Sequence, residues 1–333
     1  MPLNLDELGG YAFLCRNLQK APRTSKPHAL FKATFSIPFF TADLTEMDDL
    51  VSQSAKSTVH KFSSCYLRTS TFANTAMLTV RRSALYTAWF RWYSRRAFKK
   101  YFDKVRVRGA RDLASMNLQI PIIFYLNHAY WWDGFWSQLL TETYFNQNLY
   151  IIIEYKQLVR YQFFTRLGAF SIVRENPREA IKTIQYATEK LTEPSHKQNA
   201  LWIFPQGIIE HVDKRPITFF SGTAKIAEQV LERTPSVYLC SAVTRIDYLE
   251  EQKPELFISF HTPRLLTKDT FPNPKLLTKE MQAETESHLD DLKHLILSRE
   301  FESFETLIEG TRSVNRWFDS LKATFGISTD AQS

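Results

Sequence analysis

Between positions 105 and 260 the chain alternates short apolar runs with amphipathic stretches at a nearly constant pitch. Runs at 105–109, 121–126, 149–153, 170–174, 200–204, 236–243 and 256–260 have strand length and are rich in branched or aromatic residues. Between them, 134–143, 157–167, 177–191 and 222–232 have helical spacing. The run 121–126 reads Pro-Ile-Ile-Phe-Tyr-Leu and is apolar throughout, which suits a strand covered on both faces. This pattern predicts an α/β fold: a mainly parallel mixed sheet flanked by helices on both faces, with an N-terminal amphipathic helical region.

Several function classes fall away on sequence grounds. There is no G-x-G-x-x-G, no G-x4-G-K-[ST] and no G-x-S-x-G, so dinucleotide, P-loop and serine-hydrolase chemistry are not expected. Cys15, Cys65 and Cys240 are widely spaced and odd in number, which suits a reducing compartment without a disulfide framework. No H-E-x-x-H or paired C-x-x-C is present, so no metal site is expected. The start of the chain lacks the basic and apolar segments of a signal peptide. No apolar run approaches the ~18 residues of a membrane-spanning helix.

Charge is unevenly distributed. The chain carries a net charge of +7, which favours an anionic partner such as a lipid surface or an acidic carrier protein. Between 81 and 108 stand Arg81, Arg82, Arg91, Arg95, Arg96, Lys99, Lys100, Lys104, Arg106 and Arg108 against Asp103 alone. The stretch 76–102 reads as one long helix, with Leu78, Leu85, Trp89, Trp92 and Phe98 near helical spacing. Tryptophan among arginines is the composition of a helix lying in a bilayer interface, and equally of a core-packed helix with its cations in water. From 279 to 310 acids dominate, as on a solvated helix face. The chain therefore divides into an N-terminal extension at 1–75, containing one helix at 43–60, a domain at 76–265, and a C-terminal helical region at 266–333. That last region holds helices at 279–297 and 314–324 and a frayed tail at 328–333.

The chemistry concentrates at strand ends, where open α/β sheets build their sites. After the run 121–126 comes Asn127-His128, with Asp133 five residues beyond the histidine. Residues five apart do not share a helix face, so the pair fits a turn leading into a helix that starts near Asp133. An aspartate there can bond one imidazole nitrogen and leave the other as a base toward a hydroxyl. Gly168 to Arg174 ends in a cation, Phe204-Pro205-Gln206-Gly207 follows a strand, and 237–243 is a further apolar strand.

Together these four blocks, in this order, resemble the glycerolipid and lysophospholipid acyltransferases, the 1-acylglycerol-3-phosphate acyltransferase-like group, over about residues 85–260. Lys156 and the segment 220–225 also look like elements of that family. The resemblance implies acyl transfer from acyl-CoA or an acidic acyl-carrier protein to a hydroxyl of a glycerolipid such as a lysophospholipid, by direct attack and without a bound cofactor. It makes His128 the base, Asp133 its orienting group, Arg174 a phosphate contact, and Phe204, Pro205, Gln206 and Gly207 part of the substrate site, with backbone amides around Gly207 stabilising the oxyanion. The basic, aromatic stretch at 76–102, without a membrane-spanning run, leads to the expectation of a peripheral protein on the cytoplasmic face of a membrane, with membrane lipid as a partner and no role for nucleic acid.

The third block departs from the family's F-P-E-G-T-R-S. Gln206 stands for the glutamate, and Ile208-Ile209-Glu210 for Thr-Arg-Ser. Lys214 and Arg215 are candidates to replace the missing arginine. An uncharged acceptor, such as a glycolipid or carotenoid, or a non-catalytic membrane-surface role on the same scaffold, remains the alternative. Glu309-Gly-Thr-Arg-Ser313 mimics the missing half of the block but lacks its Phe-Pro, and is expected in the C-terminal helical region.

Overall fold

In the computed structural model, residues 77–311 are described. The expectations for 1–75, for the helix at 314–324, for the tail at 328–333 and for Cys15 and Cys65 lie outside the described residues.

Among the described residues nine strands form one sheet, β1 (Lys104–Arg108), β2 (Ile122–Leu126), β3 (Asn148–Glu154), β4 (Ala169–Ile172), β5 (Asn199–Ile203), β6 (Ser236–Asp247), β7 (Glu255–Phe260), β8 (Arg264–Thr267) and β9 (Glu305–Glu309). Their order is β4-β3-β5-β2-β6-β7-β1-β9, with β8 also pairing β6. The five strands from β4 to β6 are mutually parallel. Connecting them are helices α2 (Asp133–Leu140), α3 (Tyr155–Arg160), α4 (Pro177–Thr192) and α5 (Gly222–Arg233); α1 (Ala84–Tyr101) precedes the sheet and α6 (Pro274–Leu297) follows β8. The expected mainly parallel sheet flanked by helices is what forms.

Both faces of the central strands are covered because β2 is apolar at every position and β5 is apolar from Ala200 onward. On one face Phe124 stacks on Trp202 at 4.3 Å and on Phe145 at 5.7 Å, under Trp136 of α2. On the other, Ile123, Tyr125, Leu201 and Ile203 meet apolar residues of α4, α5 and α6. Burying a side chain of this size contributes about 1.5–3 kcal/mol. β2 thus sits at the centre of the sheet with its carboxyl end held on both sides.

Several details differ from the sequence expectation. Residues 77–83 are not helical. They run extended beside β4, where Ser171 N–H donates to Leu78 O and Leu78 N–H to Ser171 Oγ, both at 2.9 Å. α1 begins only at Ala84 because the Ser83 hydroxyl caps the Tyr86 amide. The buried stripe of α1 is Tyr86, Phe90, Ser94, Ala97 and Phe98, so Leu85 and Trp92 face outward and only Phe98 of the predicted apolar set is buried.

The helix expected at 157–167 breaks at Tyr161 into α3 and a 3-10 segment, Gln162–Leu167. Gly168 ends that segment at φ +114, where a Cβ would collide with the Leu149 carbonyl. β7 runs antiparallel to β6 and pairs in parallel with β1, so β1 opposes the main strand direction. β8 and β9 were not foreseen. β9 adds antiparallel to β1, which puts Glu309 in a strand rather than in a helical region. Short edge strands of mixed polarity carry little periodicity to read.

Candidate active site

The sharp turn after β2 is pinned before its histidine. Asn127 bridges to β6, its Nδ2 donating to Thr244 O at 3.1 Å and its Oδ1 accepting the Thr244 N–H at 2.8 Å. His128 then leaves the sheet and α2 starts at Asp133, as the spacing predicts. Asp133 Oδ2 accepts from the amides of Ala129 and Tyr130, each at 3.1 Å, and lies 2.8 Å from His128 Nδ1. Its Oδ1 accepts from Trp136 Nε1 at 3.2 Å, with the Thr244 hydroxyl at 3.5 Å.

The Asp133 side chain is fully buried, whereas that of His128 is 24% exposed. A buried carboxylate with this many donors, at a helix N-terminus, is fixed in place. It therefore selects the tautomer with hydrogen on Nδ1 and leaves Nε2 as a lone-pair acceptor on the open side. The ring is held from its face by Phe204, centroid to centroid 4.7 Å.

The loop after β5 closes the other side. Gln206 is buried; its Oε1 accepts the His128 N–H at 2.7 Å, and its Nε2 donates to Glu210 Oε2 at 3.0 Å. The Glu210 amide donates back to His128 O at 2.9 Å. A glutamine here satisfies both an N–H and a carboxylate, which a glutamate cannot do. Lys214 salt-bridges Glu210, and these hydrogen bonds, first that from Lys214 and then that from Gln206, hold the Glu210 carboxyl below the usual range. Gly207 adopts φ +68, and its N–H closes a turn onto Phe204 O at 2.9 Å. The Gly207 amide is thus already engaged. Among the described residues, the amides of Gln206, Ile208 and Ile209 donate to no protein acceptor.

Arg174 reaches the same loop from beyond β4. A Cβ on Gly207 would collide with its Nη1 and would approach Phe220 Cε2 to 3.2 Å. Its Nε donates to Glu154 Oε2 at 3.0 Å. The structure so brings His128, Asp133, Arg174, Phe204, Gln206 and Gly207 together, with the Pro205 carbonyl accepting the Phe220 N–H at 2.9 Å. Lys214 and Arg215 are diverted, Lys214 to Glu210 and Arg215 to Asp290 at 2.8 Å.

Glu154 was not singled out from the sequence, and Glu210, Phe220 and Thr244 carried no individual role there. Glu154 enters through its contact with Arg174 and Thr244 through those with Asn127 and Asp133. Tyr130 also belongs here: its hydroxyl accepts the Ile246 N–H at 3.0 Å, and burial pushes it up to about 12.

A partly exposed imidazole oriented by a buried carboxylate, at the carboxyl edge of a parallel sheet, is an arrangement that can take a proton from a hydroxyl. Residues 104–245 match the Acyltransferase family model, a span that runs from β1 into β6 and contains every site residue named above. The match covers less than half of the chain and makes this stretch similar to an acyltransferase domain. A search of curated proteins found no significant match to the chain.

Proposed function

We propose that the protein is an O-acyltransferase that moves a fatty acyl chain from a thioester, acyl-CoA or an acyl-carrier protein, to a lipid hydroxyl, with His128 as general base. The observation that carries this reading is the His128–Asp133 pair, with Nδ1 committed to the carboxylate and Nε2 free of partners among the described residues. The acceptor hydroxyl gives its proton to Nε2 as its oxygen attacks the thioester carbon. The tetrahedral oxyanion is met by the amides of Ile208 and Ile209. The C–S bond then breaks, and the leaving thiolate takes the proton from the imidazolium. Arg174, Phe204 and Gln206 shape the acceptor side.

The test is thiol release and acyl-lipid formation by the purified chain, with acyl-CoA and acyl-carrier protein offered separately. Stoichiometric transfer that is lost in His128→Ala supports the reading. Undiminished transfer in that variant removes His128 as the base.

The second part of the proposal places the protein peripherally on the cytoplasmic face of a membrane. No helix among the described residues is long and apolar enough to cross one. The outward side of α1 carries Leu85, Trp92 and Arg96, the last with its guanidinium 5.2 Å from the Trp92 ring centre. Its inward side packs on the site's own turn, Phe98 lying 5.4 Å from Trp132 and Phe90 5.1 Å from Phe135. An interfacial helix there would set the mouth of the site at the lipid surface. Binding to anionic vesicles that weakens in high salt, and weakens further in Trp92→Ala with Arg96→Glu, is expected. Vesicle binding unchanged by the double substitution would remove α1 from this role.

A further inference from the structure

We infer, on the basis of the acyl-transfer reading, that the acceptor is an uncharged lipid bearing hydroxyls rather than a phosphomonoester, and that Glu154 is the residue that sets this specificity. The two cations that the structure ties to the site each already hold a carboxylate. Arg174 is paired with Glu154 at 3.0 Å, the side chains 29% and 15% exposed. Lys214 is paired with Glu210, which is itself bound to Gln206. Each pair sums to zero charge where a phosphate would have to sit.

A phosphate dianion approaching Arg174 would meet the Glu154 carboxylate at the same guanidinium and would have to displace it. Removing one partner of a largely buried ion pair leaves the other uncompensated. A neutral ligand avoids that conflict. Arg174 uses only Nε in the pair, so its remaining N–H groups can still donate to a hydroxyl or carbonyl oxygen.

Glu154 Oε1 is buried without a hydrogen-bond partner among the described residues. Arg174 is the ion-pair partner of this carboxylate, and a phosphate that took Arg174 would leave it buried without compensation. The surrounding surface points the same way. Ile208 and Ile209 are each 52% exposed and Phe220 is 59% exposed, and the Phe220 ring lies 6.0 Å from the Arg174 guanidinium. The chemistry that fits is a lipid with a polyol or glycosyl head, an apolar body and no phosphate.

The test pairs 1-acylglycerol with 1-acylglycerol 3-phosphate of the same chain, in the same micelles, with acyl-CoA as donor. The wild-type protein is expected to favour the uncharged acceptor by about tenfold or more in kcat/KM, about 1.4 kcal/mol. Glu154→Gln is expected to shift that ratio toward the phosphate by a similar factor, through KM. A wild-type preference for the phosphate, or a ratio unmoved by Glu154→Gln in a folded variant, overturns the proposal.

Calorimetric titration of glycerol 3-phosphate into the wild-type protein gives a readout independent of turnover. No saturable binding up to the millimolar range is expected, and binding that disappears in Arg174→Ala overturns the inference. If neither acceptor is acylated, the acyl-transfer reading falls while this titration still decides the charge question.

Discussion

Two histidine clusters in this molecule use similar parts to opposite ends. At the carboxyl edge of β2, His128 has one nitrogen on Asp133, the other unengaged, and part of its ring in the open. Beneath α6, His288 is fully buried, with Nδ1 at 3.0 Å from Ser241 Oγ and Nε2 at 2.9 Å from Ser259 Oγ. It stacks on His261 at 3.5 Å between ring centres, and His261 contacts Glu284, which accepts the Tyr125 hydroxyl at 2.5 Å. Nearness to a carboxylate or a hydroxyl does not make an imidazole a base. One free nitrogen facing a space that a substrate can enter does. His128 keeps one nitrogen unengaged and its side chain 24% exposed, whereas His288 has spent both nitrogens on packing the sheet.

The strongest way to break this comparison is to delete each imidazole in turn. His128→Ala is expected to lower the rate by about a hundred- to ten-thousand-fold, the contribution of a positioned base, with an unchanged unfolding midpoint. His288→Ala is expected to do the reverse. It leaves a cavity and two unpaired buried hydroxyls, a loss of about 2–4 kcal/mol in stability, while activity per folded molecule is kept. Urea unfolding and specific activity on the same samples would read both. A stable His288→Ala, or an unstable His128→Ala, would show that the two roles are not divided in this way.

A smaller effect sharpens the comparison through pH. Burial lowers the His288 imidazole to about 2, with His261 and Arg108 adding to the shift. In the unfolded chain it titrates near 6.5. Above that value neither state is protonated and His288 adds no slope. Below it the unfolded chain takes up a proton that the folded one refuses, so stability falls by up to about 1.4 kcal/mol per pH unit. His288→Gln should flatten unfolding curves measured between about pH 6.5 and 4.5.

Glu284 acts in a lower window. Burial pushes its carboxyl up, but hydrogen bonds from His261 and Tyr125 outweigh that and hold it below the ordinary range. Its contribution is present above the ordinary glutamate value and is lost as pH falls through the lowered one. A slope retained in His288→Gln above about pH 5 would assign it to another group.

The smallest expected effect lies within the β2 site. Gln206→Glu is nearly isosteric, and from the sequence alone it should be tolerated. In the structure the new carboxylate would face Glu210 Oε2 where the Gln206 amide now donates at 3.0 Å. A loss of about 1 kcal/mol in stability is expected, partly offset by Lys214. Glu210→Gln in the same chain should restore it, because the donor and acceptor are then exchanged. A thermal melt of the single and double variants checks this, and a single variant as stable as wild type would show that the Gln206–Glu210 bond contributes nothing.

His128 and Asp133 were legible because both lie in one strand–turn–helix step. A buried strand, a histidine and an aspartate at the next helix start place each other within a few residues of chain. The alternating pattern likewise determined the class of sheet, since burial on both faces demands apolar strands and amphipathic helices. Arg174, Gln206 and Gly207 were locatable as strand-end residues, but their partners were not. Glu154, 20 residues before Arg174, and the Ser241–His288–Ser259 cluster spanning three elements depend on which strands become neighbours. Strand order and direction decide that, and β7, β8 and β9 show how little of it short polar edges announce. Local periodicity is set by the burial of one face. Whether a cation near the site stays free or is neutralised is set by the carboxylate that another strand brings beside it, a property only the assembled sheet possesses.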